Sequence, residues 1–512
     1  VPADKDWAAM KVRSVLVVGS GSAGLLAALA LKRRLPGLTV RVVSSSRLGI
    51  IGVGEGTVPS VPAFIHGYLG LDESGFFSQV DPVYKLGVRF RWGRRDYFDY
   101  TFSNRQWAWQ WPELGRPSGF FAEIAHHGID LPGALMEAGH ALPTRGAGFP
   151  DVPPPGQMVA WHLENHRFVA WLEQACQSAG IEFADGEIAT VTRTPSGGVA
   201  SLELADGRSF AADLFVDASG FRSELLGKVL DEPFESFTDS LFCDRAVVGG
   251  WEREQDEPIL PYTLSDTMDC GWAWRIDHPE RINRGYVYSS DHIDDSRAEA
   301  EFRARNPKIG STRLVKFRSG CRRRVWVDNV VAVGNAGGFV EPLEATAIMC
   351  ICLQSKWLAD GLIDSQQSPP PTMRRLYNRY VHGLWDEIRE FLSLHYRLND
   401  RLDTPFWHRC RHETRLGFTG ELLDFYRENG ASQIGSIFIS KDSPFGLEGY
   451  YAMLVGMRAP MEKENDPAAG RRAQWLKRLA SMRQLAEKGM TMETARRKLR
   501  DPKVWKALRQ AA

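Results

Sequence analysis

The sequence predicts an α/β fold built on a parallel, dinucleotide-binding sheet. Two observations predict it: a glycine fingerprint set between an apolar run and a helix, and later apolar runs of the same kind. Ser14-Val-Leu-Val-Val18 is short and continuously apolar, as expected of a strand covered on both faces. Gly19-Ser-Gly-Ser-Ala-Gly24 follows, then residues 25–35 read as a helix and Val40-Arg-Val-Val43 as the next strand. Gly19 allows the tight turn, Gly21 lets backbone approach a pyrophosphate, and Gly24 lets helix and strand pack closely. The N-terminus of the helix that follows faces the negative charge. Ser44 stands where a carboxylate commonly holds a ribose, so ribose recognition is expected to be weaker or to come from elsewhere; Arg47 keeps a phosphate reading open.

Residues 212–220 and 329–334 return to the same sheet, so the nucleotide domain is read as discontinuous. It spans 10–350 with inserted sheet and substrate segments, and a mainly helical, substrate-covering region follows over 351–512. Pro153-Pro-Pro155 and Pro369-Pro-Pro371 mark loops. Residues 162–176 and 378–395 have helical spacing, and Trp475, Leu479 and Met482 follow a helical stripe.

A chain of 512 residues with 43% apolar and 25% charged residues is of globular type and can bury a large core. Lysine plus arginine equals aspartate plus glutamate at 63 each, which excludes a nucleic-acid footprint. The balance is uneven: residues 471–512 hold thirteen Lys and Arg against three acids. That tail reads as a solvated amphipathic helix packed through Trp475 and Leu479, with docking on an acidic partner as the alternative. Seven cysteines without a CxxC point to reduced, intracellular thiols, Cys350 and Cys352 being buried ones. With no secretory or membrane-spanning stretch, a cytoplasmic location is expected. The histidines at 126, 127, 162 and 166 lack metal-ligand spacing, so no metal is expected, and His162 is placed at a helix start.

The residues richest in chemistry are Asn335-Ala-Gly-Gly-Phe-Val-Glu-Pro-Leu-Glu-Ala-Thr-Ala-Ile348, after the apolar run Val330-Val-Ala-Val333 and Gly334. They place small residues where backbone can touch a ligand, then two carboxylates around a proline, then amides able to hold an anion. Glu341 fits a helix N-terminal acid complementing the dipole. Gln106-Trp107-Ala-Trp109-Gln-Trp111 alternates with period two, so its indoles line one strand face, either a buried sheet face or a substrate wall.

From about Arg13 to about Pro460 the chain resembles the flavin-dependent tryptophan halogenase family. The matching segments, in family order, are Gly52-Val-Gly-Glu-Gly-Thr-Val-Pro59, Tyr84-Lys-Leu-Gly-Val-Arg-Phe90 and Asp213-Leu-Phe-Val-Asp-Ala-Ser-Gly-Phe-Arg222. They continue with Gly271-Trp-Ala-Trp-Arg-Ile276, Gly285-Tyr-Val-Tyr288, Glu341-Pro-Leu-Glu344 and His395-Tyr-Arg397. The resemblance implies an FAD-binding, Rossmann-like, monooxygenase-type fold with FAD against Gly19, Gly21, Ser22, Ala23, Gly24, Ser44, Gly54, Glu55, Gly334 and Phe339. It implies FADH2 from a separate NADH-dependent flavin reductase, oxygen, and chloride or bromide held at the amides of Thr346 and Ala347. Lys85, inside an apolar strand, aligns with the catalytic lysine that captures hypohalous acid; Glu344 aligns with the carboxylate that stabilises and deprotonates the arenium intermediate.

The family's WxWxIP motif reads here Trp272-Ala-Trp274-Arg-Ile276-Asp277, with aspartate in place of proline. Its tryptophans are thought to fill the space beside the flavin and disfavour hydroxylation. Ala345 stands where the family usually has serine, and Ala347 where it has glycine. Tryptophan specialists hold the amino and carboxyl groups with a tyrosine- and glutamate-bearing lid; Glu448, Tyr450 and Tyr451 are a remnant of one. With Trp107 they are the candidate substrate contacts. An electron-rich aromatic such as indole or a tryptophan-like compound is the expected substrate, with indole ahead of free tryptophan and bromide favoured because it is easier to oxidise. The rival readings are a flavin-dependent hydroxylase on the same fold and a non-catalytic flavin-binding protein.

Overall fold

The computed structural model describes residues 11–47, 54–102, 130–145, 149–462 and 469–511. Trp107, the neighbouring indoles, His126 and His127 lie outside them. Its first layer is a six-stranded sheet in the order Glu182–Asp185, Thr39–Ser44, Ser14–Val18, Leu214–Asp217, Val330–Ala332, Trp326–Val327. The first five strands are parallel and the last pairs antiparallel. Both faces are covered, which is why these strands read as unbroken apolar runs. The helix Ser22–Arg34 buries every residue from Gly24 to Leu31, lying between the sheet and the helix Ala347–Asp364.

The second layer is a seven-stranded sheet: Thr312–Lys316, Arg245–Glu252, Arg281–Tyr288, Gly271–Asp277, Thr263–Met268, Gly87–Arg91, Phe98–Thr101. A three-stranded sheet, Glu55–Gly56, Ala160–Leu163 and Val83–Lys85, sits between the layers. The segment read as one apolar strand, Val83 to Val88, is therefore two. It leaves the small sheet at Lys85, turns at Leu86 and enters the large sheet at Gly87. A Cβ at Gly87 would lie 2.3 Å from the Tyr100 carbonyl oxygen, so only glycine makes that crossing.

His162 is not at a helix start. It is in the strand Ala160–Leu163, fully buried, and the helix begins at Asn165. Helical spacing began three residues early because every residue of that strand is buried, so no period-two alternation marks it.

The long amphipathic helix Pro371–Leu398 packs on the strand Trp326–Val327 of the first sheet and meets Phe90 of the second through His395, and the basic tail returns to the first half of the chain. Trp475 and Leu479 are buried, as the stripe predicts. Met490 and Thr491 pair with the strand His140–Leu142. Trp505 packs on Phe77 with ring centroids 5.1 Å apart. Arg496 and Arg500 converge on buried Asp81, the Arg496 Nε at 3.1 Å, and Arg509 reaches Asp72. Three of the tail's cations thus meet acids of their own chain. No helix of the described residues is long and apolar enough to cross a membrane.

Breaking a buried ion pair from one side leaves an uncompensated charge. Asp81→Asn is expected to lower stability by about 3 kcal/mol and to expose the segment after Lys488 to limited proteolysis. An unchanged digest would mean that the apolar contacts of Trp505 and Met490 alone hold the tail.

Candidate active site

At the carboxyl ends of the parallel strands a cleft of about 470 Å³ opens. Its wall includes Gly19, Gly21, Ser22, Ala23, Ser44, Glu55 and Ala347, seven positions singled out from the sequence. Gly19 has φ +115°, and a Cβ there would meet the Ala218 carbonyl oxygen at 2.4 Å. A Cβ at Gly24 would fall 1.9 Å from the Gly19 oxygen, so the third glycine serves packing, not the ligand. A Cβ at Gly21 would meet nothing within 4 Å. The cleft is open at that residue, where the unpaired amides of a helix with no capping side chain begin.

These features fit the diphosphate of FAD, with Arg222 as a cation on the same wall. Asp217 does not face the ligand. It accepts from the amides of Ser219, Leu225 and Leu226 and fixes the cleft's rim. Beside Ser44 the wall carries Glu187, an acid from another segment on the side where the sheet strand offers none. Glu55 keeps part of its surface open to the cleft, yet burial pushes its carboxyl up to about 7.

Three expected cofactor residues lie off this wall. Gly54 lines an adjoining cleft that shares Asn165 with the first. Gly334, with φ +67°, packs behind it, its amide donating to the Gln354 Oε1 at 2.8 Å. Phe339 stacks edge-on to Phe221 and Phe317, at 4.9 and 5.2 Å, in a neighbouring cleft. Asn165 was not picked out from sequence; it accepts from the Ser22 hydroxyl at 3.3 Å.

Lys85 and Glu344 are brought together from two sheets' junction and a loop. The Lys85 ammonium is wholly buried, donates to the Thr57 carbonyl at 3.0 Å and lies 5.2 Å from the Phe102 ring centroid. Burial pulls it down to about 8, and the field of Glu344 opposes that shift. The two are not ion paired, and Glu344 Oε1 meets His395 Nε2 at 2.7 Å.

Glu341 corrects the sequence reading. It is wholly buried, makes no capping bond to the turn Pro342–Glu344, and accepts from the Tyr396 hydroxyl. Burial raises its carboxyl to about 7, while polar contacts from Tyr396, Trp272 and Cys243 pull the other way. Ala345 takes a left-handed φ of +54°, the turn that carries the chain into the helix Ala347–Asp364. Thr346 is buried at that helix's N-cap without a side-chain bond to it, leaving first-turn amides available to an anion.

Trp272 and Trp274 are both buried on one strand face, ring centroids 5.9 Å apart, and Trp274 lies across Gly285. Asp277, in the motif's proline position, is buried between Arg253 (3.1 Å) and Arg275 (2.7 Å) and accepts the Leu260 amide. A carboxylate pinned by two guanidiniums thus fixes a turn that proline would otherwise stiffen. Tyr450 and Tyr451 pack inward: Tyr450 against Phe391, and Tyr451 with its hydroxyl on the Ser432 backbone. Glu448 is half-buried on the same helix, Gly446–Gly456. Among the described residues no three His, Cys, Asp or Glu side chains converge as a metal site. Cys350 and Cys352 are buried, unpaired thiols.

The family model for tryptophan halogenase matches residues 14–473. Tryptophan 7-halogenase RebH of Lentzea aerocolonigenes is 30% identical over 448 residues, covering 81% of this chain and 82% of that protein. Among solved structures, the lanthipeptide tryptophan 5-halogenase MibH is 36% identical with a TM-score of 0.86, covering 99% of this chain and 97% of MibH. BrvH, a flavin-dependent halogenase from Brevundimonas sp. BAL3, is 27% identical with a TM-score of 0.81, covering 96% and 100%. A glycine-lined cleft, a buried lysine in the field of a buried glutamate and a match over nearly the whole chain lead to one conclusion: the chain belongs to the flavin-dependent tryptophan halogenase family and is an enzyme of that kind.

Proposed function

We propose that the enzyme uses FADH2 from a separate NADH-dependent reductase to halogenate an electron-rich indole. The observation that carries this reading is Lys85, an ammonium buried without a carboxylate partner at the junction of two sheets. Reduced flavin and oxygen supply the oxidising equivalent that converts bromide or chloride to hypohalous acid. Lys85 donates a hydrogen bond to that acid and holds its halogen toward the arene. The ring attacks the halogen, and the halogen–oxygen bond breaks with its electron pair on oxygen. The departing hydroxide takes a proton from the Lys85 ammonium and leaves as water, and a cationic arenium forms. Its C–H bond then breaks, the electron pair restores the ring, and the proton goes to Glu344. A hydroxylase reading gives Lys85 no task, and a binding protein needs neither buried charge. A cytoplasmic setting, where NADH is at hand, suits this reading.

The substrate is proposed to be indole, or an indole side chain carried in a peptide, in preference to free tryptophan. The inward packing of Tyr450 and Tyr451 supports this, since neither hydroxyl is presented to an amino acid's polar end. The likeness to MibH, a lanthipeptide halogenase, supports the peptide arm. Bromide is favoured over chloride because it is easier to oxidise.

Lys85→Met is expected to cut halogenated product by about 100-fold or more while leaving flavin binding intact, read by mass spectrometry and flavin fluorescence. The same variant should be more stable. A lysine whose folded value lies below the ordinary 10.5 is destabilising when protonated, so the cost is full below about 8 and fades toward 10.5. The gain at pH 7 is up to about 3 kcal/mol, and a melting comparison that shows a loss would contradict it.

If the ammonium is the working form, the product-forming rate falls as pH rises through about 8. Single-turnover rates across that range test this; a rate that climbs there would assign the free amine. In competition, indole and a tryptophan-containing peptide should outrun free tryptophan. A clear preference for the free amino acid would overturn the substrate reading.

A further inference from the structure

Two consecutive residues near the end of the helix Pro371–Leu398 hold the two carboxylates of the Glu341–Glu344 turn: His395 meets Glu344, and Tyr396 meets Glu341. The His395 bonds fix a proton count. Its Nδ1 lies 2.7 Å from the Phe391 carbonyl oxygen, which only accepts, so Nδ1 carries a hydrogen. A neutral ring would then present a bare Nε2 to Glu344 Oε1 at 2.7 Å, two lone pairs facing each other. The contact therefore needs one more proton, on the ring or on the carboxyl. Oε2 of Glu344 takes no hydrogen bond from the described residues.

We propose that His395 is a positioning residue held as an imidazolium, which occupies Oε1 of Glu344 and leaves Oε2 as the one atom able to take the arenium proton. The carboxylate is the better seat for negative charge because Lys85 lies close enough to act on it, while Glu341 is engaged by Tyr396. The remaining ring neighbours, Phe90, Trp92 and Phe391, are uncharged and close His395 off from water, with ring centroids 4.9 to 6.1 Å away. The imidazolium keeps its proton through the reaction. Its work is to orient the base and to stabilise its charged form until the substrate's proton arrives. The kinetic part of this proposal rests on the halogenase reading; the proton count does not.

The test has two parts. Nitrogen NMR of cofactor-free protein labelled at histidine should show one buried ring with both nitrogens protonated, a signal lost in His395→Gln and altered in Glu344→Gln. A neutral His395 ring, unchanged by Glu344→Gln, would overturn the proposal whether or not the chain halogenates indole. In turnover, His395→Leu should lower kcat by about 100-fold with KM for indole unchanged, and His395→Gln, which retains an N–H donor, should recover part of the loss. Ring-perdeuterated indole should then reveal a primary isotope effect in the variants that the parent lacks, because deprotonation has become slow. Equal losses in both folded variants without an isotope effect would reduce His395 to packing. A parent protein that makes no halogenated product would count against the halogenase reading, leaving the NMR result to decide the proton.

Discussion

An ammonium buried without an ion pair is the constraint around which the site is built. Lys85 has the Thr57 carbonyl as its hydrogen-bond acceptor, an aromatic face at Phe102, and the field of Glu344, a carboxylate bonded to His395 instead. Such a group is costly to bury, and here the surroundings hold it in place. It ends a strand of one sheet just before the chain passes through Gly87 into another, so its backbone is fixed on both sides. Gly56 crosses beside it, where a Cβ would lie 3.4 Å from Nζ and 3.1 Å from the Ala345 Cβ. The missing side chain at Gly56 and the small one at Ala345 let the strand Glu55–Gly56, the lysine and the carboxylate loop meet.

The glycine fingerprint and its sheet were legible because their signals are local. Strand, turn and helix lie within one stretch, and each glycine has a steric reason visible in spacing alone. Lys85 was legible for a related reason: a lone cation inside an apolar run is conspicuous. Glu341 was not, because a carboxylate beside a proline at a helix start looks the same whether solvated or buried. Its depth is set by Tyr396, which lies 55 residues away. His395 was seen only as part of a matching segment, and its bond to Glu344 spans 51 residues. No spacing rule reaches that far.

The tail and the altered motif were half legible for a different reason. The stripe of Trp475 and Leu479 announced a packed helix, but charge composition could not say which acids the arginines would meet. Asp81 and Asp72 lie more than 400 residues earlier in the chain. Aspartate at position 277 read as a lost proline, and the structure shows a gained anchor between Arg253 and Arg275. In both places a charge that looked free in sequence is bound to its own fold.

The two carboxylates of the turn illustrate how one loop can hold acids of opposite character. Glu341 is wholly buried, and burial lifts it toward the neutral form even though a phenol, an indole and a thiol act against that. Glu344, three residues on, has a histidine whose other nitrogen is already committed to a backbone carbonyl, and a lysine across the gap. One acid is placed among neutral donors and the other among groups able to carry positive charge. Separation of roles by environment is what acid–base chemistry requires when the side chains are identical. The first then serves the loop's shape and the second is the one we propose for its chemistry, and the helix residues His395 and Tyr396 make the distinction by standing next to each other.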